Sequence, residues 1–554
     1  MPKFFWKLLR HRRSSPKAKL DVFTENRKAT DEKIAKYHEK LYFCVIFQMT
    51  HDNSMLKSAR IKENFTYPGK LLLLAELVLF SLLAVFSSRH FGIADGAKIT
   101  VSYLVAYLVP RTVLRRDSSW SWISSAVLFL LACLLIYIDY KRLLALTLFD
   151  GYSLEMPNLS GDARNYYKWA LGQYDGRFET SNMLFPGFPY IMVGLWKVFG
   201  VSVVWPQAMN LMFTMTSVVF TGKFTRRLLS NRVSVAPRHL LALGLLFSCF
   251  LTYYLIVGTL ILKEGAVFLG LTMAAYALSS LATAEGPHRL SRGDMVLFVM
   301  ASLLVTFIRP TFLYFIAMGI IVMTLPHLRR DWRVMSILLA IVVVALLLGE
   351  LLSHYTFSRH AEIAGGGWNM QRFYVVGESQ QFYHDLLNYY FLYSFWHKVL
   401  MLPLTMSVQF FIPLPWSYYD TPTTINVIGR FSYSWYFVGG TALFYYFFLS
   451  WRRGEHMGLW PWWPAMAYAA MAYLMAGSVA RYVSPIIPLF IPVTVYVLCR
   501  VYEGHRRKSF IWWWITLVIV ITLVLLLCLE IQQGTISKML HTQSLVHYWK
   551  GLPY

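Results

Sequence analysis

Four short stretches of this chain place reactive side chains where an apolar segment ends or an extended loop begins: Gly161-Asp162-Ala163-Arg164-Asn165-Tyr166, Lys263-Glu264, Arg309-Pro310 and Arg481-Tyr482. A carboxylate such as Asp162 can take the proton of an attacking hydroxyl. Lys263, Arg309 and Arg481 can hold the oxygens of a phosphate, the arginines through their planar fork. A carboxylate and three cations on one side of a membrane would suit chemistry on a phosphate-bearing lipid. In helical geometry Asp162 and Tyr166 share a face.

Each residue also has a plainer reading. Asp162 could be only a helix N-cap. Lys263 and Glu264 could mark the end of an apolar segment. Arg481 could reach toward lipid headgroups, and Pro485 and Pro488 could simply kink a helix. Arg309 lies between two apolar runs, where charge is costly and a functional role is the default reading. Glu155, Asp175 and Glu179 share the loop of Asp162 and read as solvated surface, although any could be a second acid. His354, His360 and His384 could bind a metal, but their spacings match no recognised ligand set. No cofactor is therefore expected, and a divalent metal is the minor reading. Tyr355, Trp368, Tyr374 and Trp416 read as anchors rather than sugar platforms. The Asn64 and Asn158 sequons read as chance matches.

The elements that must position these residues are transmembrane helices. Apolar residues make up 57% of the 554 residues and charged residues only 14%, whereas a soluble domain carries about 25% charged residues. Many apolar runs approach the ~20 residues that cross the hydrocarbon layer. The fold class is an all-α polytopic integral membrane protein of about 13 transmembrane helices (11–14), with two long non-cytoplasmic loops carrying interfacial helices. The net charge of +24 does not indicate nucleic acid. It is concentrated in residues 1–70 and in short clusters between apolar runs: Arg111/Arg115/Arg116, Arg226/Arg227/Arg232, Arg329/Arg330/Arg333, Arg452/Arg453 and Arg506/Arg507/Lys508. This is the positive-inside pattern.

That pattern orients the chain. Residues 1–69 form a basic cytoplasmic extension, and 70–138 hold the first three spans, at about 70–87, 97–110 and 121–138. Residues 139–200 form the first outer loop, with Asp162. A transmembrane core follows over 201–352, with spans at about 201–221, 239–258, 264–282, 295–308, 311–325 and 334–352. Residues 353–430 make a second outer loop and 431–530 the last spans, at about 432–450, 459–477, 483–500 and 510–530. Residues 531–554 are an outer tail. Asp162, Lys263, Arg309 and Arg481 all fall on the non-cytoplasmic side. The five cysteines are scattered without a CxxC pair, so neither a disulfide framework nor a zinc site is indicated. The charged N-terminus lacks the apolar core of a signal peptide. No internal repeat is visible, which weakens a transporter reading.

The pattern Asp162-Ala163-x-x-Tyr166, followed by Phe185-Pro186-Gly187-x-Pro189, resembles the first outer loop of the C-type (GT-C) polytopic glycosyltransferases. The closest branch is that of the protein O-mannosyltransferases and lipid A aminoarabinose transferases. The resemblance continues at Lys263-Glu264, Arg309-Pro310 and Arg481-Tyr482-x-x-Pro485-x-x-Pro488, so it runs over about 70–500 in order and spacing. It implies a GT-C-like fold with Asp162 as the catalytic base or its positioner. Tyr166, Lys263, Glu264, Arg309, Arg481 and Tyr482 would then be substrate-binding residues. It also implies a sugar donor carried on a polyprenyl phosphate. The basic N-terminal extension and the two extra spans before Asp162 depart from the family pattern.

The expected function is transfer of a sugar from that carrier to a glycan, lipid or protein acceptor on the non-cytoplasmic face, with inversion. One alternative is an oligosaccharide polymerase or ligase that uses a polyprenyl-diphosphate donor. The other is a lipid or sugar-lipid transporter without enzymatic activity, in which charges should lie near the midplane rather than at one face. Expected partners are the donor, the acceptor and membrane lipids, with no nucleic acid. A bacterial inner membrane is the preferred setting, with the endoplasmic reticulum as alternative.

Overall fold

The computed structural model describes residues 67–148, 151–159, 161–177, 187–249, 251, 254, 258–283, 290–325, 328–353, 439, 442–451, 457–475, 484–504, 508–516 and 519. Among these every regular element is helical. In chain order they are α1 (Tyr67–Phe91), α2 (Ile93–Arg115), α3 (Trp122–Leu146), α4 (Gly161–Tyr174), α5 (Gly187–Phe199), α6 (Val204–Leu229) and α7 (Pro237–Cys249). Then come α8 (Glu264–Thr283), α9 (Arg292–Ile308), α10 (Leu313–Thr324) and α11 (Leu328–Ser353). The last are α12 (Ala442–Trp451), α13 (Trp462–Met475) and α14 (Ile491–Glu503). Short 3-10 turns, Pro310–Phe312 and Ile487–Phe490, lead into α10 and α14.

Among the described residues three helices are long and apolar enough to cross a bilayer: Pro68–Phe91, Trp122–Leu146 and Glu264–Ala282. Shorter apolar helices cover Gly187–Phe199, Pro310–Thr324, Trp332–Leu348 and Ala442–Trp451. Apolar side chains stand outward in rows, Leu71, Leu74, Leu77 and Val85 on α1 and Ile337, Val343, Val344 and Leu347 on α11. Such faces suit a hydrocarbon solvent and would be a liability in water.

The helices differ in length from the hydropathy reading, for local reasons. The second span, expected at 97–110, is the whole of Ile93–Arg115, because Gly96, Thr100, Ser102 and Thr112 lower its hydropathy without breaking the helix. The third continues past 138 to Leu146, through Asp139, Tyr140, Lys141 and Arg142. The fifth is described as a helix only over Pro237–Cys249. Ser121 and Ser291 start α3 and α9 by accepting from the backbone N–H groups of Ser124 and Asp294. Gly92, at φ 84, makes the reversal between α1 and α2.

Helix α6 is the centre of the bundle. It packs on α2, α3, α5, α7, α8 and α14 and is buried around nearly its whole circumference. The crossing with α7 is close: a Cβ on Gly244 would lie 2.9 Å from Gly222 Cα. Small residues permit this approach in lipid, where dispersion contacts replace the hydrophobic effect.

Contacts between helices join like ends. At one end Arg111 meets Glu76 at 2.5 Å, Arg226 meets Asp117 at 3.2 Å, Arg227 meets Asp294 at 3.0 Å, and the Ser234 backbone N–H donates to Glu503 at 2.6 Å. At the other end His90 meets Tyr140, Val203 bonds the Leu154 carbonyl, and the turn before α8 meets α3 and α6. The Arg111/Arg115/Arg116 and Arg226/Arg227/Arg232 clusters, which the sequence assigns to the cytoplasm, lie at the first end.

Candidate functional site

The site lies at the end of the bundle opposite the arginine clusters. Its first element is α4. Ala163, Tyr166, Tyr167 and Ala170 are buried, at the i, i+3, i+4, i+7 spacing of one helical face. Asp162 sits in the first turn and is half-buried, where a carboxylate is favoured by the helix dipole. Tyr167 donates to the Glu155 carbonyl at 2.6 Å, and its ring stands edge-on to Trp196 at 4.9 Å. Burial, with Glu155 nearby, holds the Tyr167 phenol well above its ordinary range, so it remains a hydrogen-bond donor. These contacts tie α4 to α5.

Helix α5 is in turn seated on the end of α9. A Cβ on Gly187 would lie 1.7 Å from the Phe307 carbonyl oxygen, so no larger residue fits without backbone movement. Phe188, fully buried, meets the Tyr166 ring at 5.8 Å. The Pro186-Gly187-Phe188 stretch that suggested a family resemblance thus has a physical task at its described residues. It lays Tyr166 beside the segment that carries Arg309.

Three further candidates converge there. Lys263 ends the turn before α8 and places its ammonium 5.6 Å from the centroid of the Tyr166 ring, close enough for a cation–π attraction. Glu264 opens α8 and is wholly buried. Arg309 stands at the break between α9 and the Pro310–Phe312 turn, with its backbone N–H bonded to the Val305 carbonyl at 2.7 Å. Its guanidinium lies 3.8 Å from the Glu264 carboxylate and 5.3 Å from the Phe312 ring centroid. Lys263 and Arg309 are only 8% and 6% exposed, so both charges are removed from bulk water, where their electrostatic reach is greater.

The structure therefore brings Tyr166, Lys263, Glu264 and Arg309 together, with Asp162 one helical turn from Tyr166. Arg481 and Tyr482 lie outside the described residues. So do Glu179, the second long loop with His354, His360, His384, Tyr355, Trp368, Tyr374 and Trp416, and the Asn64 sequon. Glu155 contributes its carbonyl to α4. Asp175 pairs with exposed Arg177 at 3.2 Å, which suits its reading as surface. Among the described residues no three His, Cys, Asp or Glu side chains form a group that could hold a metal ion.

Two residues near the site had no sequence signal strong enough to single them out. Asn210, inside α6, donates through its amide to the carbonyls of Leu260 and Leu262, the latter at 2.6 Å. Arg142, near the end of α3, donates to the Thr259 hydroxyl at 2.5 Å. The available hint was an Asp139/Arg142 pair at the end of an apolar run, and it reads equally well as the start of a loop. No protein-family model matches this chain, and no curated protein or solved structure matches it either.

Proposed function

We propose that this protein is an integral-membrane glycosyltransferase with a GT-C-like arrangement of about thirteen spans. It moves a sugar from a polyprenyl-phosphate carrier to an acceptor hydroxyl on the non-cytoplasmic face. The observation that supports this most directly is the meeting of Tyr166, Lys263, Glu264 and Arg309. They come from separate stretches of chain, at the end of the bundle away from the arginine clusters. A transporter would instead place its charges along a path near the midplane.

In this reading Asp162 takes the proton of the acceptor hydroxyl, which attacks the anomeric carbon from the side opposite the phosphate and inverts it. The bond from that carbon to the phosphate oxygen breaks as the new glycosidic bond forms. Lys263 and Arg309 stabilise the charge on the leaving lipid phosphate. Glu264 orients Arg309, and Tyr166 orients Lys263. Arg481 and Tyr482 are assigned to the same donor site. A bacterial inner membrane is the setting we favour.

The test is Asp162→Asn. Asn caps a helix about as well as Asp but takes no proton at neutral pH. Expression and donor binding should hold, while sugar transfer should fall ~10²–10⁴-fold, the usual cost of losing a general base. Near-normal transfer would remove Asp162 as the base. A polymerase or ligase would prefer a diphosphate donor in the same assay. A transporter would show flux and no transfer with either form.

A further inference from the structure

The turn that precedes α8, Gly258–Lys263, is held from two sides by side chains of other helices. From α6, Asn210 spends both hydrogens of its amide on the carbonyls of Leu260 and Leu262. From α3, the Arg142 guanidinium donates to the Thr259 hydroxyl. Asp139, three residues before Arg142 on the same helix, accepts the Tyr103 phenol from α2. Asn210, Asp139, Thr259 and Tyr103 are all fully buried.

Glycines at both ends of the turn allow its close packing, Gly265 against Asn210 itself. A Cβ on Gly265 would lie 2.6 Å from the Asn210 side-chain amide oxygen, and one on Gly258 would lie 2.4 Å from the Tyr254 carbonyl oxygen and 2.7 Å from the Thr214 hydroxyl. A short apolar turn at the end of a bundle would otherwise be a low-stability segment able to open locally. Here two of its backbone carbonyls are spoken for by one side chain, and buried polar bonds of this kind fix a conformation because the alternative leaves them unmade.

We propose that Asn210 and Arg142 are positioning residues that preset the Gly258–Lys263 turn, so that Lys263 is delivered onto Tyr166 and Glu264 beside Arg309 before any ligand arrives. The donor-phosphate role of Lys263 rests on the reading above; the positioning of its side chain does not.

The test measures Lys263 directly. Full-length protein in detergent is treated with an amine-acylating reagent, and the acylation rate of each lysine is followed by mass spectrometry. Lys263 is buried and should react slowly. Lys223, equally buried at the opposite end of α6, reports any general loosening. In Asn210→Asp the amide donors are replaced by a carboxylate facing two carbonyls. Lys263 should then react about tenfold faster or more, the opening expected when two hydrogen bonds are lost, while Lys223 stays at its wild-type rate. Thr259→Val, which removes the hydroxyl that Arg142 donates to, should raise the Lys263 rate severalfold, and Thr259→Ser should restore it. The Thr259 pair carries the test if Asn210→Asp does not fold.

A wild-type Lys263 rate in Thr259→Val and in any folded Asn210→Asp overturns the proposal. So does a parallel rise at Lys223, which marks general loosening. Binding of a polyprenyl monophosphate is then measured for Asn210→Asp, Thr259→Val and Lys263→Ala. Weaker binding in all that fold supports both the positioning and the phosphate role. A faster Lys263 rate with unchanged binding in Lys263→Ala keeps the positioning and removes the phosphate role.

Discussion

Buried charge collects at both ends of the bundle, but it is arranged differently. At the arginine-cluster end three arginines meet carboxylates at short range, Arg111 with Glu76, Arg226 with Asp117 and Arg227 with Asp294, all within 3.2 Å. Several of these bonds are reinforced, as when Arg227 also donates to the Tyr276 carbonyl at 3.0 Å. At the opposite end Arg309 and Glu264 stand at 3.8 Å, and Lys263 faces an aromatic ring. The first end has the geometry of helix clamps, in which charge–charge contacts tie α1 to α2 and α6 to its neighbours. At the second, Tyr166, Lys263, Glu264 and Arg309 come from the helix α4, the turn before α8, the start of α8 and the break after α9, so the charged groups meet largely where helices begin and end rather than along their sides.

The largest expected effect comes from removing the matching arginine at each end. Arg227→Gln leaves Asp294 buried without its cation and should cost about 3–5 kcal/mol of stability. Thermal unfolding in detergent would register this as a lower midpoint, with donor affinity of the folded fraction unchanged. Arg309→Gln should lower donor affinity by about 2–5 kcal/mol and shift the unfolding midpoint less than Arg227→Gln does. If both substitutions lower the midpoint alike and neither touches donor binding, the two ends are the same kind of clamp and the comparison fails.

A smaller effect is expected from Gly187→Ala. The added methyl meets the Phe307 carbonyl and pushes α5 away from the end of α9. Overpacking of this kind costs about 1–3 kcal/mol. The strain falls where α4 and α5 hold Tyr166 beside Lys263, so sugar transfer should drop more than stability does. Gly244→Ala, at the α6–α7 crossing, serves as the opposite case. Its methyl would press on Gly222 and Thr225 and should cost stability without a specific loss of transfer.

The sequence carried these two ends unequally. The positive-inside rule separates Arg226 and Arg227 from Lys263 and Arg309, and the structure places the two pairs at opposite ends. The helical character of α1, α8 and α9 was equally legible, since each is a continuous apolar run. The extension of α3 to Leu146 was not. Asp139 and Arg142 lower the hydropathy there, and only the fold supplies Tyr103 and Thr259 as their partners. Asn210 was silent for a related reason. A single Asn in an apolar run marks nothing until the turn it holds, some 50 residues on, is folded against it. The meeting of Tyr166 with Lys263 depends on how α4 and α5 rest on α9, a long-range matter that local pattern does not encode.

The smallest effect concerns Tyr166 and sharpens what that meeting does. If the ring itself steadies the Lys263 ammonium, Tyr166→Phe should keep most of the donor affinity, because phenylalanine presents a similar face to a cation. Tyr166→Leu fills part of the space but offers no π face. It should weaken donor binding by about 0.5–2 kcal/mol, the range for a cation–π contact from exposed to desolvated. Tyr167→Phe is the natural control on the adjacent position. It breaks the bond to the Glu155 carbonyl and should cost about 1 kcal/mol of stability while leaving donor affinity alone. Titrating donor binding and unfolding for the three variants separates ring from hydroxyl and site from scaffold. Equal loss of donor affinity in Tyr166→Phe and Tyr166→Leu would transfer the role from the ring to the phenol oxygen. Equal loss in Tyr167→Phe would mean that α4 contributes only its packing, and donor binding would then rest on the residues at the ends of α8 and α9 alone.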